Sequence, residues 1–181
     1  MNVTCPRIGV MYDWHMGPSM EIVVATTLLN HERPDLVLDA VRKMFPDWSP
    51  ENMPERGAFP TDSSSVRLVS NVKSLTTVIE EARNHRILDT ALDAMTLNSD
   101  GEISTFSLSR QAAAAGKCSF VIGEIPLGGT IDVTIRQDDL DNYLTNLTYH
   151  PGRDSIPRRP GDDLAMNKDG SSTEWIDPRR L

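Results

Sequence analysis

The sequence has few of the residues that usually mark a particular chemistry. Only two of its 181 residues are cysteines, Cys5 and Cys118, which excludes a disulfide framework or a cysteine metal site. No apolar run reaches the roughly 18 residues needed to cross a membrane, and no secretory pattern is recognisable. Aromatic residues make up only 6% of the chain. We therefore expect a cytoplasmic protein without membrane association, cofactor or metal.

Motifs for catalysis are equally scarce. The four histidines are too far apart for zinc-ligand spacing: His15, His31, His85 and His150. There is no P-loop, no dinucleotide-binding glycine motif and no nucleophile elbow. Asp138, Asp139 and Asp141 resemble a cation site in composition only, because acidic residues are also common where a helix begins. We do not favour an enzyme, although an unknown small-molecule activity stays open.

Basic residues are outnumbered by acidic ones. The chain contains 18 Lys and Arg against 26 Asp and Glu, which gives a formal net charge of −8. Residues 20–149 contain 11 basic and 19 acidic side chains, so the predicted domain accounts for the whole excess. This charge disfavours non-specific binding of a phosphate backbone. Any contact with nucleic acid must therefore depend on a local cluster of cations.

Composition predicts one domain with two flanking segments. Residues 1–19 have Gly, Pro and scattered aromatics, which predicts a poorly ordered extension, with docking of Tyr12 and Trp14 as the alternative. Residues 149–181 are rich in Pro, Gly, Ser and charge, which predicts a flexible tail. Residues 20–148 form the predicted domain, and the proline-rich stretch 47–64 is a long loop within it.

Hydrophobic periodicity predicts an α+β fold. Alternating apolar residues predict five strands, at residues 20–28, 65–72, 102–108, 118–122 and 131–135. Apolar residues at helical spacing predict five helices, at residues 34–45, 75–82, 88–95, 110–115 and 140–147. Ser74 is the predicted cap of the second helix. The short turn before the last strand indicates antiparallel pairing. We predict a single mixed or antiparallel sheet with helices packed on one face.

Three separated motifs carry a family resemblance: RILDTALDAM, FSLSRQAAAAGKCSFV and PLGGTIDVTI, which begin at Arg86, Phe106 and Pro126. In this order they resemble a small archaeal family of uncharacterised proteins that is grouped with exosome-associated RNA-binding proteins. Arg110 stands where that family usually has lysine, and Gly129 is an additional glycine. The resemblance covers about residues 20–148. It implies RNA binding and a fold similar to the large-subunit ribosomal protein that binds 5S RNA.

Five side chains form the predicted RNA contact: Arg83, Arg86, Arg110, Gln111 and Lys117. Alanines 112–115 leave room for a ligand to approach, and the last three side chains surround them with donors. Arg83 and Arg86 are three residues apart, so we expect both on one helix surface. The alternative interpretation is tight packing of the alanine-rich segment, with the arginines paired to nearby acids: Glu80, Glu81, Asp89 and Asp93.

Two further hypotheses stay open. The acidic domain could bind another protein or a second copy of the chain, through the alanine-rich segment or an exposed strand edge. A small-molecule enzyme would need Arg86, Asp89 and Lys117 to face a common cavity. Phe106 and Phe120 lie in strand patterns, so we expect them in the core rather than as base-stacking platforms.

Overall fold

The computed structural model describes residues 20–52 and 65–154. Within these residues the elements follow in the order β1 (Glu21–Leu28), α1 (Pro34–Met44), β2 (Val66–Val72), α2 (Thr76–Asn84), α3 (Leu88–Thr96), β3 (Ile103–Ser109), α4 (Arg110–Ala114), β4 (Phe120–Val121), β5 (Thr130–Arg136) and α5 (Leu140–Leu147). A 3₁₀ turn, Pro151–Asp154, comes last. The predicted extension, most of the predicted tail and part of the proline-rich loop lie outside the described residues. No described helix is both long and apolar enough to span a bilayer.

The strands form one sheet in the order β2-β1-β5-β3-β4, and every neighbouring pair is antiparallel. β1 lies between β2 and β5, as the Cα partners of Val24 show: Ser70 on β2 and Val133 on β5. The predicted α+β class with a single sheet is therefore confirmed, and the pairing is antiparallel throughout.

The core lies on one face of this sheet. Alternate residues of β1 and β5, such as Ile22, Val24 and Ile135, are almost fully buried there with the apolar stripes of the helices. Burying one such side chain contributes about 1.5–3 kcal/mol. Phe106 is buried, and its ring centroid lies 5.8 Å from that of Phe120, which packs against the core. The prediction that both rings belong to the core is confirmed.

The predicted strand at 118–122 is shorter than its sequence pattern indicates. Only Phe120–Val121 pair, with Leu108 and Ser107 of β3. The residues before them are still part of the turn that ends α4, because the amide of Lys117 donates to the carbonyl of Ala112. The residue after Ile122 is Gly123, whose φ of 91° turns the chain away from the edge of the sheet.

Two predictions about helix ends are wrong. Ser74 does not cap α2: Leu75 occupies the N-cap position, and the Ser74 hydroxyl instead accepts a hydrogen bond from Thr76 Oγ1 at 3.1 Å. Arg86 does not share a helix surface with Arg83, because α2 ends at Asn84 and Arg86 lies between two helices with a left-handed φ of 60°. The predicted corner between two helices is confirmed at this position.

Trp48 belongs to the core although it lies in the predicted loop. Its ring is buried, and its Nε1 donates to the carbonyl oxygen of Val24 at 3.0 Å. Nearby, the hydroxyl of Ser70 donates to the carbonyl of Ser49 at 3.0 Å. The chain after α1 is therefore held against β1 and β2 by one aromatic anchor and by polar contacts.

Replacing Trp48 with phenylalanine is expected to lower the free energy of unfolding by about 1–3 kcal/mol, since the Val24 carbonyl loses its buried donor. Tyr149→Phe is the matched control, because it removes an exposed hydroxyl that donates to Asp154, and its effect is expected within about 0.5 kcal/mol. Denaturant titration measures both. Equal stability of the two variants would contradict the anchoring role of Trp48.

Candidate functional site

Arg110, one of the five predicted RNA contacts, is buried with only 3% of its surface exposed. Its Nε donates to the carbonyl of Gly128 at 2.6 Å, and its Nη1 donates to the carbonyl of Thr27 at 2.7 Å and to Thr26 Oγ1 at 3.1 Å. Its Nη2 forms an ion pair with Glu32. The guanidinium is therefore committed within the protein and is not presented to a ligand.

Glu32 and Gly129 complete this arrangement. One carboxylate oxygen of Glu32 binds Arg110, and the other accepts the amide hydrogen of Leu29 at 2.9 Å. Gly129 has a φ of 78°, and a Cβ at this position would lie 2.7 Å from Arg110 Nη2. A side chain at residue 129 would therefore displace the guanidinium, which explains a glycine here.

The other four predicted side chains are exposed, but they do not form a single surface. Lys117 lines a surface hollow of about 540 Å³ together with His85, Thr90 and Ser119. Gln111 lines a different hollow, of about 330 Å³, with residues of α1 and the β4–β5 loop. The structure thus brings Lys117 to the corner between α2 and α3 and separates it from Gln111.

We call the basic side chains near this corner the corner cluster: Arg83, His85, Arg86 and Lys117, of which His85 and Lys117 line the same hollow. Arg83 and Arg86 flank His85 in the chain, and the amide of Arg86 donates to the carbonyl of Arg83 at 3.1 Å. No ion pair joins Arg83, Arg86 or Lys117 to an acid among residues 20–52 and 65–154. Only His85 has an acidic partner there, Glu81 at 3.5 Å. The pairing that the alternative interpretation expects for the two arginines is absent from this part of the chain.

The hollow beside Lys117 offers binding groups but no nucleophile. Cys118 lies at its floor, where burial, with a smaller contribution from the charge of Glu81, raises the pKa of the thiol to about 12. A thiol in this state stays protonated and unreactive near neutral pH. Neither Arg86 nor Asp89 lines this hollow. The three side chains required by the enzyme hypothesis are therefore not gathered here.

Asp89 binds the beginning of the predicted tail. Its Oδ1 accepts from Arg153 Nη2 at 2.8 Å, and its Oδ2 lies 3.0 Å from His150 Nε2. Arg153 is buried and also donates to the carbonyl of Thr145 and to Thr148 Oγ1, both at 3.2 Å. Burial opposes ionisation of Asp89, but the hydrogen bonds from Arg153 and His150 outweigh it, so its pKa lies below the ordinary value. Residues 149–154 therefore pack on α3 and α5.

The face of the sheet opposite the core, which we call the open face, carries a second polar network. Arg67 Nη1 lies 2.7 Å from Asp132 Oδ2 and donates to Thr27 Oγ1 at 3.1 Å. Ser107 Oγ donates to Asp132 Oδ1 at 3.0 Å. Burial alone would raise the pKa of the Asp132 carboxyl. Hydrogen bonds from Thr130, Arg67 and Ser107 lower it by more, so its pKa lies below the ordinary value. These residues line a groove of about 730 Å³.

Sequence reasoning missed this open-face network for an identifiable reason. The alternation in β5 placed Asp132 on the wet face of a strand, but its partner Arg67 lies on a strand with which β5 does not pair. Only the strand order, with β1 between them, brings the two side chains together. No local pattern in the sequence specifies that order.

Together these features define an α+β protein with one antiparallel sheet and no assembled catalytic constellation among the described residues. No family model matches the sequence. A UPF0201 protein of Sulfurisphaera tokodaii is 37% identical over 130 residues, which cover 71% of this chain and 86% of that protein. The chain therefore belongs to the UPF0201 family, and the resemblance to an archaeal family is confirmed at this level.

Solved structures agree with the fold. The crystal structure of an uncharacterized UPF0201 protein matches with a TM-score of 0.56 and 27% identity, covering 68% of this chain and 89% of that one. A UPF0201 protein from Methanococcus jannaschii, solved at 2.2 Å resolution, matches with a TM-score of 0.60 and 22% identity over 78% of this chain and 96% of its own. The second likeness supports the architecture alone.

Removing Arg110 by substitution with methionine is expected to cost about 3–5 kcal/mol of folding free energy, because the Glu32 carboxylate, whose side chain is only 15% exposed, loses its counter-charge. The double variant with Glu32→Met is expected to recover most of that loss. Arg136→Met breaks an exposed pair with Glu21, at 3.4 Å, and should cost less than about 1 kcal/mol. Denaturant titration compares the three. If Arg110→Met lost no more folding free energy than Arg136→Met, the stabilising role of the Arg110–Glu32 ion pair would be refuted.

The Asp89 contacts predict a pH dependence with a definite sign. Because the folded-state pKa lies below the unfolded one, near 3.9, the stabilisation is present above that value and is lost as pH falls through the folded pKa. Asp89→Asn is therefore expected to lose less stability than the unmodified protein between about pH 5 and pH 3. Asp39→Asn, at an exposed position of α1, should keep the full dependence. If the stability of all three proteins fell equally with pH in this range, the assignment to Asp89 would be disproved.

Proposed function

We propose that this UPF0201 protein binds structured RNA without catalysis, and that the corner cluster is the contact surface. The observation that carries the proposal is the exposed, unpaired state of Arg83, Arg86 and Lys117 within the described chain, on a protein of net charge −8. An acidic protein that leaves cations free in one place has a local surface on which phosphate groups are attracted.

The groups around the hollow suit a phosphate backbone better than a base. Lys117 supplies charge at the hollow, the hydroxyls of Thr90 and Ser119 there can donate to phosphate oxygens, and Arg83 and Arg86 are exposed close to His85 in the chain. Phe120 also lines the hollow, but its ring is partly buried and packs against the core and Phe106, so we do not assign it a base-stacking role. Recognition would therefore rest on the shape of a folded RNA and on a small number of ionic contacts.

The backbone at Arg86 supports a preformed site. A non-glycine residue with φ near 60° costs on the order of 1 kcal/mol. The conformation is held by the bond from the amide of Ile87 to the carbonyl of Ala82, 2.9 Å long, at the end of α2. Residues in such conformations often occur where a protein binds a ligand, because packing elsewhere offsets the strain.

The implied likeness to the ribosomal protein that binds 5S RNA supports the same proposal by analogy alone, since a fold does not fix a function. The surface proposed here differs from the one predicted by the sequence at three residues. Arg110 is removed because it is buried, and Gln111 is removed because it lines another hollow. His85 is added because it lines the hollow with Lys117.

Binding of a fluorescently labelled RNA hairpin, followed by anisotropy, tests the proposal. We expect a dissociation constant in the micromolar range or weaker, and an affinity that falls with salt by about one power of salt concentration for each phosphate contacted. Charge reversal of both Arg86 and Lys117 to glutamate is expected to weaken binding at least about tenfold and to reduce the salt slope by roughly two.

Arg136→Glu is the matched control, because Arg136 is also exposed but lies on β5, away from the corner cluster. It changes the net charge by two units, against four for the double reversal, and should leave the affinity within about twofold. No binding at about 100 µM protein and low salt would refute RNA binding. If Arg136→Glu weakened binding as much as the double reversal of Arg86 and Lys117, the RNA contact would lie outside the corner cluster.

A further inference from the structure

The outer edge of β2 has no partner strand among the described residues, because β2 is the first strand in the sheet order. Seven consecutive residues, Val66–Val72, form this edge. Two of them are unusually exposed for apolar side chains, Val66 at 38% and Val69 at 47%. An edge of this length presents unpaired backbone donors and acceptors to a further strand.

This strand also lacks two of the residues that usually protect an edge, since it contains no proline and no lysine. Its one charged side chain, Arg67, is directed inward across β1 to Asp132, at 2.7 Å. A hollow of about 550 Å³ lies along the strand, between β2 and residues 49–52.

We propose that a second copy of the chain pairs with this edge, with β2 antiparallel to β2 and the two-fold axis passing Val69. The two five-stranded sheets would join into one sheet of ten strands. A strand that pairs with its own copy forms an isologous interface, which closes as a dimer and leaves no free β2 edge. This proposal does not depend on RNA binding, because the corner cluster lies on other elements.

The sequence of β2 is complementary to itself in this register. Centring on Val69 pairs all seven residues, with Val66 opposite Val72 and Leu68 opposite Ser70 of the second copy. Arg67 then faces the neutral Asn71 of the second copy, so no like charges meet. Centring on Arg67 would shorten the ladder and set two arginines against each other. The side chains therefore favour one register, and in that register residue 69 faces itself.

Because residue 69 of one copy lies opposite residue 69 of the other, the pairing can be tested by placing opposite charges at this position in two separate variants. We expect the unmodified protein to be dimeric by size-exclusion chromatography with light scattering. Val69→Lys and Val69→Glu should each be monomeric, because each places two like charges directly opposite. An equimolar mixture of these two variants should recover a dimer. Because both copies are acidic, dimerisation of the unmodified protein should also strengthen with salt, in contrast to RNA binding.

Ile125→Lys is the matched control, because Ile125 is 78% exposed in the loop between β4 and β5. It should stay dimeric. Circular dichroism checks that each variant is folded. If the Val69 variants do not fold, Asn71→Lys provides a second test, because a lysine on an edge strand opposes pairing with another chain. We expect loss of the dimer.

Several outcomes would overturn the β2 pairing. A monomeric unmodified protein at about 100 µM in high salt would do so, as would a dimer that survives Val69→Lys. Loss of the dimer in Ile125→Lys would place the interface at the β4–β5 loop. Two monomeric Val69 variants that fail to combine would exclude the two-fold axis at this residue, and an Asn71→Lys dimer as tight as the original would exclude pairing through this edge.

Discussion

A single buried ion pair organises one end of the molecule. The Arg110 guanidinium and the Glu32 carboxylate together bind the end of β1, the turn before α1, the start of α4 and the loop before β5. Removing two charges from water is unfavourable unless nearly all their donors and acceptors find partners. Here the backbone supplies those partners, so the four segments are fixed relative to one another. The glycine at residue 129 is a consequence of the same packing.

The local chemistry of the chain was sufficient to predict its elements. Alternation in β1 and β5 and the apolar stripes of the helices each reflect one dry face, so period and fold agree. Trp48 could not be predicted, since it stands alone in a proline-rich stretch without a periodic pattern. Its position depends on the carbonyl of Val24, 24 residues away. The strand at 118–122 was overestimated because Lys117 and Gly123 act through backbone geometry that composition does not show.

Candidate site residues were harder to predict than elements, because a cation's role depends on which partner reaches it. Arg110 and Lys117 look equivalent in the alanine-rich motif, yet one is buried against Glu32, 78 residues away, and the other is exposed. Asp89 appears from the sequence to be a partner for Arg86. In the structure Arg153 and His150 occupy its carboxylate instead. The beginning of the predicted tail therefore neutralises an acid that would otherwise oppose the corner cluster.

The two proposed surfaces lie at opposite edges of the sheet. Lys117 precedes β4, the strand farthest from β2 in the sheet order. In a ten-stranded dimer the two β4 strands would be separated by nine strand spacings of about 4.8 Å, or roughly 40 Å. Two corner clusters at that separation can act together only on an RNA long enough to reach both. Dimerisation would then turn two weak ionic contacts into one stronger attachment through effective concentration, and short hairpins would gain nothing from it. An acidic protein with few free cations can in this way favour long, folded RNA without any contact that reads a base.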